Sequence, residues 1–506
     1  MLQRSYETVF STNVLKGLMA AVAAVFAFSL YHRYIQQDEP WFGEQAYWLV
    51  NEGSVKLKSM PGVFDWTENM LIYHKLFVWS GGLLILVFGW SVYVFKTFIL
   101  LLFILGAYVL FRFSKTSFES PVVWWLVLLL LFITPELIHR SFMFRPEVMI
   151  MTLGFLSFYF LHASVKSEAP LKPAIAGLFA GLAFLTHLNA MVFPVAGFLY
   201  MLYFRQWKGL VLFSIAATLT CSVYSLGLWS AEALATYRYQ MQNWPTHQST
   251  FGEKVQGGFL GIVGNTLVRL LNEHKRYFWD LDVAGGSGLF LVALVSRFRF
   301  LLKEHKNLLI YTLILMGSIG LLTSSHGPRY LVYLMPFMVL ITAVVIQSIL
   351  LEKKTVLKAL LLVCFAVQMA FAGLAFRKIA HNSEDHVAIH GELLAQVDQN
   401  ARVLGPWEMI YNEIDHYSIF SYKTYEYIED QEKRKLSQLE LLELAAIRFD
   451  IDYIILDEKR KRSRDFPWFK NWQIEDNPYY QRHKEFNDYL ILKRRHPGPS
   501  NINKAH

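Results

Sequence analysis

Two adjacent carboxylates, Asp38 and Glu39, stand just past an apolar run in the stretch HRYIQQDEPWFGEQAYWL, residues 32–49. A carboxylate beside a reacting hydroxyl or amine can take its proton. The connections between later apolar runs hold more polar groups than a loop needs. They are Glu44; His74 and Lys75; His139, Arg140, Arg145 and Glu147; His187 and Asn189; Arg238, His274, Lys275, Arg276 and Tyr277; and His326, Arg329 and Tyr330. Cationic side chains of this kind hold phosphate through charge-assisted hydrogen bonds. Acids and bases converging at one membrane face point to a site for an anionic lipid headgroup and a reaction that needs a carboxylate. Each residue alone also has a plainer reading. Asp38 or Glu39 could cap the helix that follows, Arg145 could anchor in the headgroups, Tyr330 could belong to an aromatic belt, and His187 could be a satisfied interior histidine.

The elements that must position these groups are membrane helices. The chain has 506 residues, 54% hydrophobic and 16% aromatic, with only 17% charged, too apolar for an ordinary soluble enzyme. Apolar segments lie near 14–31, 76–94, 97–113, 121–138, 146–163, 172–188, 190–204, 209–229, 286–300, 307–323, 330–350 and 356–376. The first has a basic flank but no small-residue cleavage site, so it reads as a helix that is kept. Cys221 and Cys364 lie in apolar runs and imply no disulfide framework. The net charge of +8 suits basic cytoplasmic loops and calls for no nucleic acid. Short basic connections (Arg112/Lys115, Lys166/Lys172, Arg205/Lys208, Arg297/Arg299/Lys303/Lys306 and Lys353/Lys354/Lys358) alternate with the polar, histidine-bearing ones. The positive-inside rule puts the basic set in the cytoplasm and the other set outside. The loop 32–75 is then outside and the loop near Arg112 inside, although two apolar segments separate them. One of those two must lie at the interface or re-enter, leaving about eleven crossings with the N-terminus inside. A membrane domain over 1–379, with outer loops 32–75 and 230–285, precedes a soluble extracytoplasmic domain over 380–506. In that tail ARVLG, DYIILD and NDYLILKRR read as strands. HVAIHGELLAQVDQN and SQLELLELAAIRF read as helices, which together make a small α/β domain. The basic end from Lys493 to His506 is expected to lack order. Past the first helix, Pro40 suits a first helical turn, and Gly53 is a natural stop. Trp41, Tyr47 and Trp48 suit a helix lying in the headgroup layer.

Four stretches in this order carry a resemblance: DEPWFGEQAYWLVNEG, IYHKLFVWSGGLLILVFGWS, HRSFMFRPEVMIMTLGFLSFYF and HGPRYLVYLMPFMVLITA, with the Gly-rich pair GLFAGLAFLTHLNAMVFP between the last two. The chain resembles the type C membrane glycosyltransferases of the protein O-mannosyltransferase and lipid A aminoarabinose transferase group, over about residues 10 to 350. It departs from them where Leu76 and Phe77 replace the usual prolines, where Glu147 stands for the commoner Asp, and where His187 stands for a frequent Lys.

The resemblance implies a multi-pass enzyme, expected in a bacterial inner membrane. It would take a sugar from a polyprenyl-phosphate donor and pass it, with inversion, to a protein, lipid or glycan acceptor on the outer face. It implies Asp38 as the base and Glu39 beside it, orienting the acceptor or the helix. Lys75, Arg329 and Arg276 would hold the leaving phosphate, and Glu44, Arg145, Glu147, His187 and Tyr330 would line the pocket. Oligosaccharyltransferases of similar build use a divalent metal held by acids. No D-x-D stands in the second outer loop here, so no cofactor is firmly implied and a metal is not expected. The alternative is a transporter or lipid flippase, which would carry ionisable residues near the membrane midplane in broken helices.

Overall fold

The computed structural model describes residues 11–166, 170–244, 258–323, 325–352, 355–457 and 477–495. Every apolar segment expected above contains a helix. In chain order the first helices are α1 (Thr12–Phe28), α2 (Asp38–Glu52), α3 (Lys75–Phe88), α4 (Val92–Ser117), α5 (Pro121–Phe132), α6 (Pro135–Arg140), α7 (Glu147–Lys166), α8 (Leu171–Thr186), α9 (Val192–Tyr203) and α10 (Trp207–Ser222). The connection 230–285 is itself largely helical in its described part, with α11 (Ala231–Asn243), α12 (Gly258–Leu271) and α13 (His274–Phe278). Then come α14 (Leu281–Ser296), α15 (Phe298–Glu304), α16 (Lys306–Leu322), a 3₁₀ turn over Pro328–Tyr333, α17 (Met335–Leu350) and α18 (Thr355–His381). Residues 245–257 of that connection, and Lys353 and Lys354 of the last basic loop, lie outside the described residues.

Large apolar side chains stay exposed in rows: Leu101, Ile104, Leu105 and Tyr108 on α4, Val211, Ile215 and Leu219 on α10, Val363, Val367 and Leu374 on α18. Such a belt is a liability in water and the expected surface in lipid. Among the described residues four helices are long and apolar enough to cross a membrane, two bent pairs pass the same test together, and six shorter apolar helices stand beside them. Helices approach closely where small residues allow it. A Cβ on Gly177 of α8 would come within 2.3 Å of the Phe213 carbonyl oxygen of α10, so this contact excludes a larger residue.

Helix α3 is the shorter helix of the pair expected near 76–94 and 97–113. Its fourteen residues span about 21 Å. It packs along α2, with Gly81 against Ala46 and Gly82 against Val50. His74, before its start, touches Phe42 of α2. Trp90, past its end, donates its indole N–H to the Ile410 carbonyl (3.2 Å) and stacks on Tyr411. Both ends thus lie against the face that carries the acid pair.

The C-terminal domain holds α19 (His386–Leu394), β1 (Arg402–Gly405), β2 (Ser418–Ser421), α20 (Lys423–Glu432), α21 (Gln438–Glu443), β3 (Tyr453–Asp457), β4 (Tyr480–Phe486) and β5 (Tyr489–Arg494). The sheet order is β2-β1-β3-β5-β4, parallel at β1/β2 and β1/β3 and antiparallel at β3/β5 and β4/β5. The three expected strands are β1, β3 and β5; β2, β4 and α20 were not expected. α21 starts with a capping box between Ser437 and Glu440. Lys493 and Arg494, placed by the sequence in an unordered end, belong to β5, and residues 496–506 lie outside the described residues.

One expectation is corrected here. Helix α2 does not lie open in the headgroup layer. Glu39 through Tyr47 are buried with the exception of Trp41, because the 3₁₀ turn Trp407–Tyr411 of the C-terminal domain sits on it. The Tyr411 hydroxyl donates to the Glu39 carbonyl (2.7 Å), and its ring takes the space a Cβ on Gly43 would need. The helix ends at Gly53 with φ of +69°, as its sequence suggested.

Candidate active site

Asp38 is the first residue of α2. Its side chain caps nothing: Gln37 is the N-cap residue, without a side-chain bond. The Asp38 carboxylate turns instead to the connection between α6 and α7. Oδ2 accepts from Arg145 Nη1, and Oδ1 lies 3.5 Å from Lys423 Nζ at the start of α20. Its side chain keeps 30% of its surface exposed. Arg145 is buried and shared. Its Nε donates to both Glu147 oxygens (3.2 Å each), Nη2 donates to Glu147 Oε1 (2.8 Å), and Nη1 also donates to Gln36 Oε1 (3.1 Å). Pro146 follows, and Glu147 opens α7, where a carboxylate complements the helix dipole. Burial pushes the Asp38 carboxyl up, but Arg145, then Lys423 and Arg329, outweigh it and hold it below the usual aspartate value.

Arg329 comes from the 3₁₀ turn before α17. Its Nη2 donates to the Tyr330 hydroxyl (3.3 Å), and its guanidinium lies over the Tyr330 ring, 5.2 Å from the centroid. The same hydroxyl accepts from Asn189 Nδ2 (2.9 Å). Asn189 in turn donates its backbone N–H to His187 Nδ1 (3.0 Å), which fixes His187 with its proton on Nε2. His187 stacks on His74 with centroids 4.1 Å apart. Burial keeps the His74 imidazole neutral by pushing its pKa down to about 4. The structure therefore brings Asp38, Arg145, Glu147, His187, Arg329 and Tyr330 into one cluster.

The other candidates sit around it. Glu39 is fully buried: Oε1 accepts from the Phe144 N–H (2.7 Å), Oε2 accepts from the Gln36 N–H (2.8 Å), and Lys96 Nζ stands 3.4 Å away. It ties α2 to the connection between α6 and α7 and to α4. Burial pushes the Glu39 carboxyl up, against the pull of Lys96 and these two N–H groups. Glu44 accepts from the Ser59 N–H (2.9 Å), the Ser59 hydroxyl, Trp48 Nε1 (3.1 Å) and Trp407 Nε1 (3.4 Å), so it fastens the C-terminal domain to α2. Arg276 is neutralised by Glu273 (2.5 Å) and donates to Thr323 Oγ1 (2.7 Å), beneath the Tyr330 ring. It braces the turn that presents Arg329. Lys75 donates to the Leu226 carbonyl and lies 4.9 and 5.5 Å from the centroids of Tyr73 and Tyr224, sharing no partner with Arg329.

Lys423 and Tyr427 of α20 and Gln36 were not named from sequence, and His74 was named without a role. Tyr427 joins an aromatic group around Trp41, one turn past Asp38, with Trp66, Trp244 and Trp407 at centroid distances of 5.2 to 6.3 Å from Trp41. The aromatic-rich stretch SYKTYEYIEDQE was the one available signal for α20. Among the described residues no group of three His, Cys, Asp or Glu side chains converges on a metal position. The donor set does not suit one either: Arg145 lies between Asp38 and Glu147, where a cation would have to sit.

The arrangement has known counterparts. The structure matches ArnT of Cupriavidus metallidurans, bound to undecaprenyl phosphate, at a TM-score of 0.58 and 11% identity, covering 95% of this chain and 98% of that one. It matches the Archaeoglobus fulgidus oligosaccharyltransferase AglB, in complex with an inhibitory peptide and a dolichol-phosphate, at a TM-score of 0.54 and 11% identity over 97% and 75% of the two chains. The model of glycosyltransferase family 87 matches residues 76–325. The chain has the fold of these membrane glycosyltransferases. No curated protein sequence matches it. The family match takes in Arg145, Glu147 and His187. Asp38 and Arg329 flank the matched stretch, so their placement rests on the geometry above.

Proposed function

We propose that the protein moves a sugar from a polyprenyl-monophosphate carrier to a hydroxyl or amine acceptor at the outer membrane face, with inversion at the anomeric carbon. One observation carries this reading. Among the described residues Arg329 has no carboxylate partner and uses one N–H, on the Tyr330 hydroxyl, while the ionised Asp38 lies close enough to feel its charge. A guanidinium with free donors suits an arriving phosphate, and a carboxylate held ionised beside it suits a proton acceptor. The lipid phosphates bound by ArnT and AglB support the carrier class. In the proposed step the acceptor oxygen attacks the anomeric carbon and its proton passes to Asp38. The carbon–oxygen bond to phosphate breaks, and the phosphate leaves with the electron pair onto Arg329. Lys75, which among the described residues also has no carboxylate partner, is proposed to meet the phosphate from the start of α3. The neutral His74/His187 pair suits sugar hydroxyls. Arg145 and Glu147 hold Asp38, while Glu39, Glu44 and Arg276 keep the surrounding elements in place.

Arg329→Ala is expected to weaken binding of a polyprenyl monophosphate in detergent by roughly 10- to 150-fold, from about 1.5–3 kcal/mol for a charged hydrogen bond. Lys75→Ala is expected to lose less. Unchanged affinity in both variants rejects the phosphate site.

With α3 not crossing, four long helices, two bent pairs and five of the six shorter apolar helices give the proposed eleven crossings. The C-terminal domain is then outside. A reporter active only in the cytoplasm, fused after Arg377, is expected to be silent, and activity there would invert the topology. The ionisable groups do not favour a transport path. Lys96, one turn inside α4, is spent on Glu39 and on the Arg33 and Tyr34 carbonyls.

A further inference from the structure

We infer that Lys423 of the C-terminal domain is a positioning residue for Asp38, covering the carboxylate oxygen that the acceptor must reach and giving it up when the acceptor binds. This rests on Asp38 being the base. Arg145, Lys423, Arg329, Glu147 and Tyr427 are the charged and titratable groups that face Asp38. Among the described residues only Arg145 and Lys423 touch its carboxylate, one on each oxygen. They are held differently. Arg145 is locked by three bonds to Glu147 and one to Gln36. The Lys423 ammonium has, among the described residues, only the 3.5 Å contact with Asp38 Oδ1, at the end of a flexible four-carbon stem.

The backbone beneath that stem is fixed. The Ser421 N–H and the Thr424 hydroxyl both donate to the Ser59 carbonyl (2.9 and 3.4 Å), and Ser59 is itself bonded to Glu44. The ammonium can therefore leave Oδ1 by side-chain rotation alone, with the domain staying in place. Oδ1 is the oxygen open to exchange, and an acceptor hydroxyl replacing the ammonium there would be aligned to give up its proton. While Lys423 stays, water at the same position lacks its proton acceptor, and loss of donor to hydrolysis is held down. In that side reaction water oxygen bonds to the anomeric carbon, its proton goes to Asp38, and the carbon–oxygen bond to phosphate breaks. The products are free sugar and polyprenyl phosphate.

The test uses the full chain in liposomes with a panel of polyprenyl-phosphate pentoses and hexoses and no acceptor, measuring sugar released to water across pH. Lys423 lowers the proton affinity of Asp38, so its removal raises it, and the acid limb moves to higher pH. Lys423→Met is expected to release sugar several-fold faster than wild type, with that limb raised by roughly one pH unit. Lys423→Arg should restore both. Profiles of Lys423→Met and wild type that superimpose overturn the role. A second arm treats wild-type protein with a carbodiimide, which joins a paired amine and carboxylate as an amide and takes up the water as urea. A peptide linking Lys423 to Asp38, absent from Lys423→Met, is expected, and its absence from wild type overturns the pairing. If no variant releases sugar while the link forms, the reading of Asp38 as base falls and the pairing stands.

Discussion

Asp38→Asn is expected to fold, bind a polyprenyl monophosphate, and transfer sugar about 10²–10⁴-fold more slowly than wild type, the usual cost of losing a general base. Folding should survive because Arg145 keeps Glu147 and Gln36 as partners, and an amide oxygen can still accept from Arg145. What the amide lacks is a site for the acceptor's proton. The capping explanation for an acid at this position makes the opposite forecast, since Asn caps about as well as Asp. The structure already weakens it, because Gln37 holds the N-cap position and no side chain caps α2. Transfer in liposomes, with lipid-phosphate binding and folded yield measured alongside, separates the two. Near-normal turnover by Asp38→Asn would end its role as base.

Arg145→Met should be the variant most damaging to the fold of the site. It removes the cation between two carboxylates, leaving the buried Glu147 unpaired and close to Asp38. Breaking a buried pair by deleting one partner costs about 3–5 kcal/mol. The expected result is a large fall in thermal midpoint and folded yield in detergent. Any folded fraction should lose activity at a higher pH than wild type, because Asp38 loses the charge that holds it ionised. Arg145→Lys is expected to recover part of the stability, since a single ammonium cannot reproduce the forked contact with Glu147. A midpoint for Arg145→Met within a degree or two of wild type would show that the three side chains do not act as a unit.

The membrane helices are legible in the sequence because hydrocarbon admits only apolar side chains on an internally bonded backbone. Their ends are less so, and Lys96 shows why. By composition it closes an apolar run, so the expected segment began at 97. In the structure α4 starts at Val92 and carries Lys96 inside it, because its ammonium reaches Glu39 and two carbonyls. The burial of Glu44 is likewise invisible locally, since its donors Ser59 and Trp407 come from distant segments. Asp38, Arg145, Glu147, His187, Arg329 and Tyr330 could be named from residue type, place at helix ends and family pattern. Lys423 could not, because no periodicity or motif links a helix start in the C-terminal domain to the first turn of α2. The expectation that Arg276 meets phosphate took its charge as free, and Glu273 three residues earlier spends it.

The bond from the Tyr411 hydroxyl to the Glu39 carbonyl joins residues 372 positions apart, and this separation sets a clock on the birth of the protein. At roughly 5–20 residues per second of synthesis, the two partners emerge tens of seconds apart. During that interval α2 waits without its cover, Glu44 without Trp407, and Asp38 without Lys423. A ribosome that stalls late, or a protease that clips the last hundred residues, leaves a membrane bundle with an uncapped acidic helix. Until the final domain folds, the cover of α2 and the contact of Lys423 with Asp38 are missing.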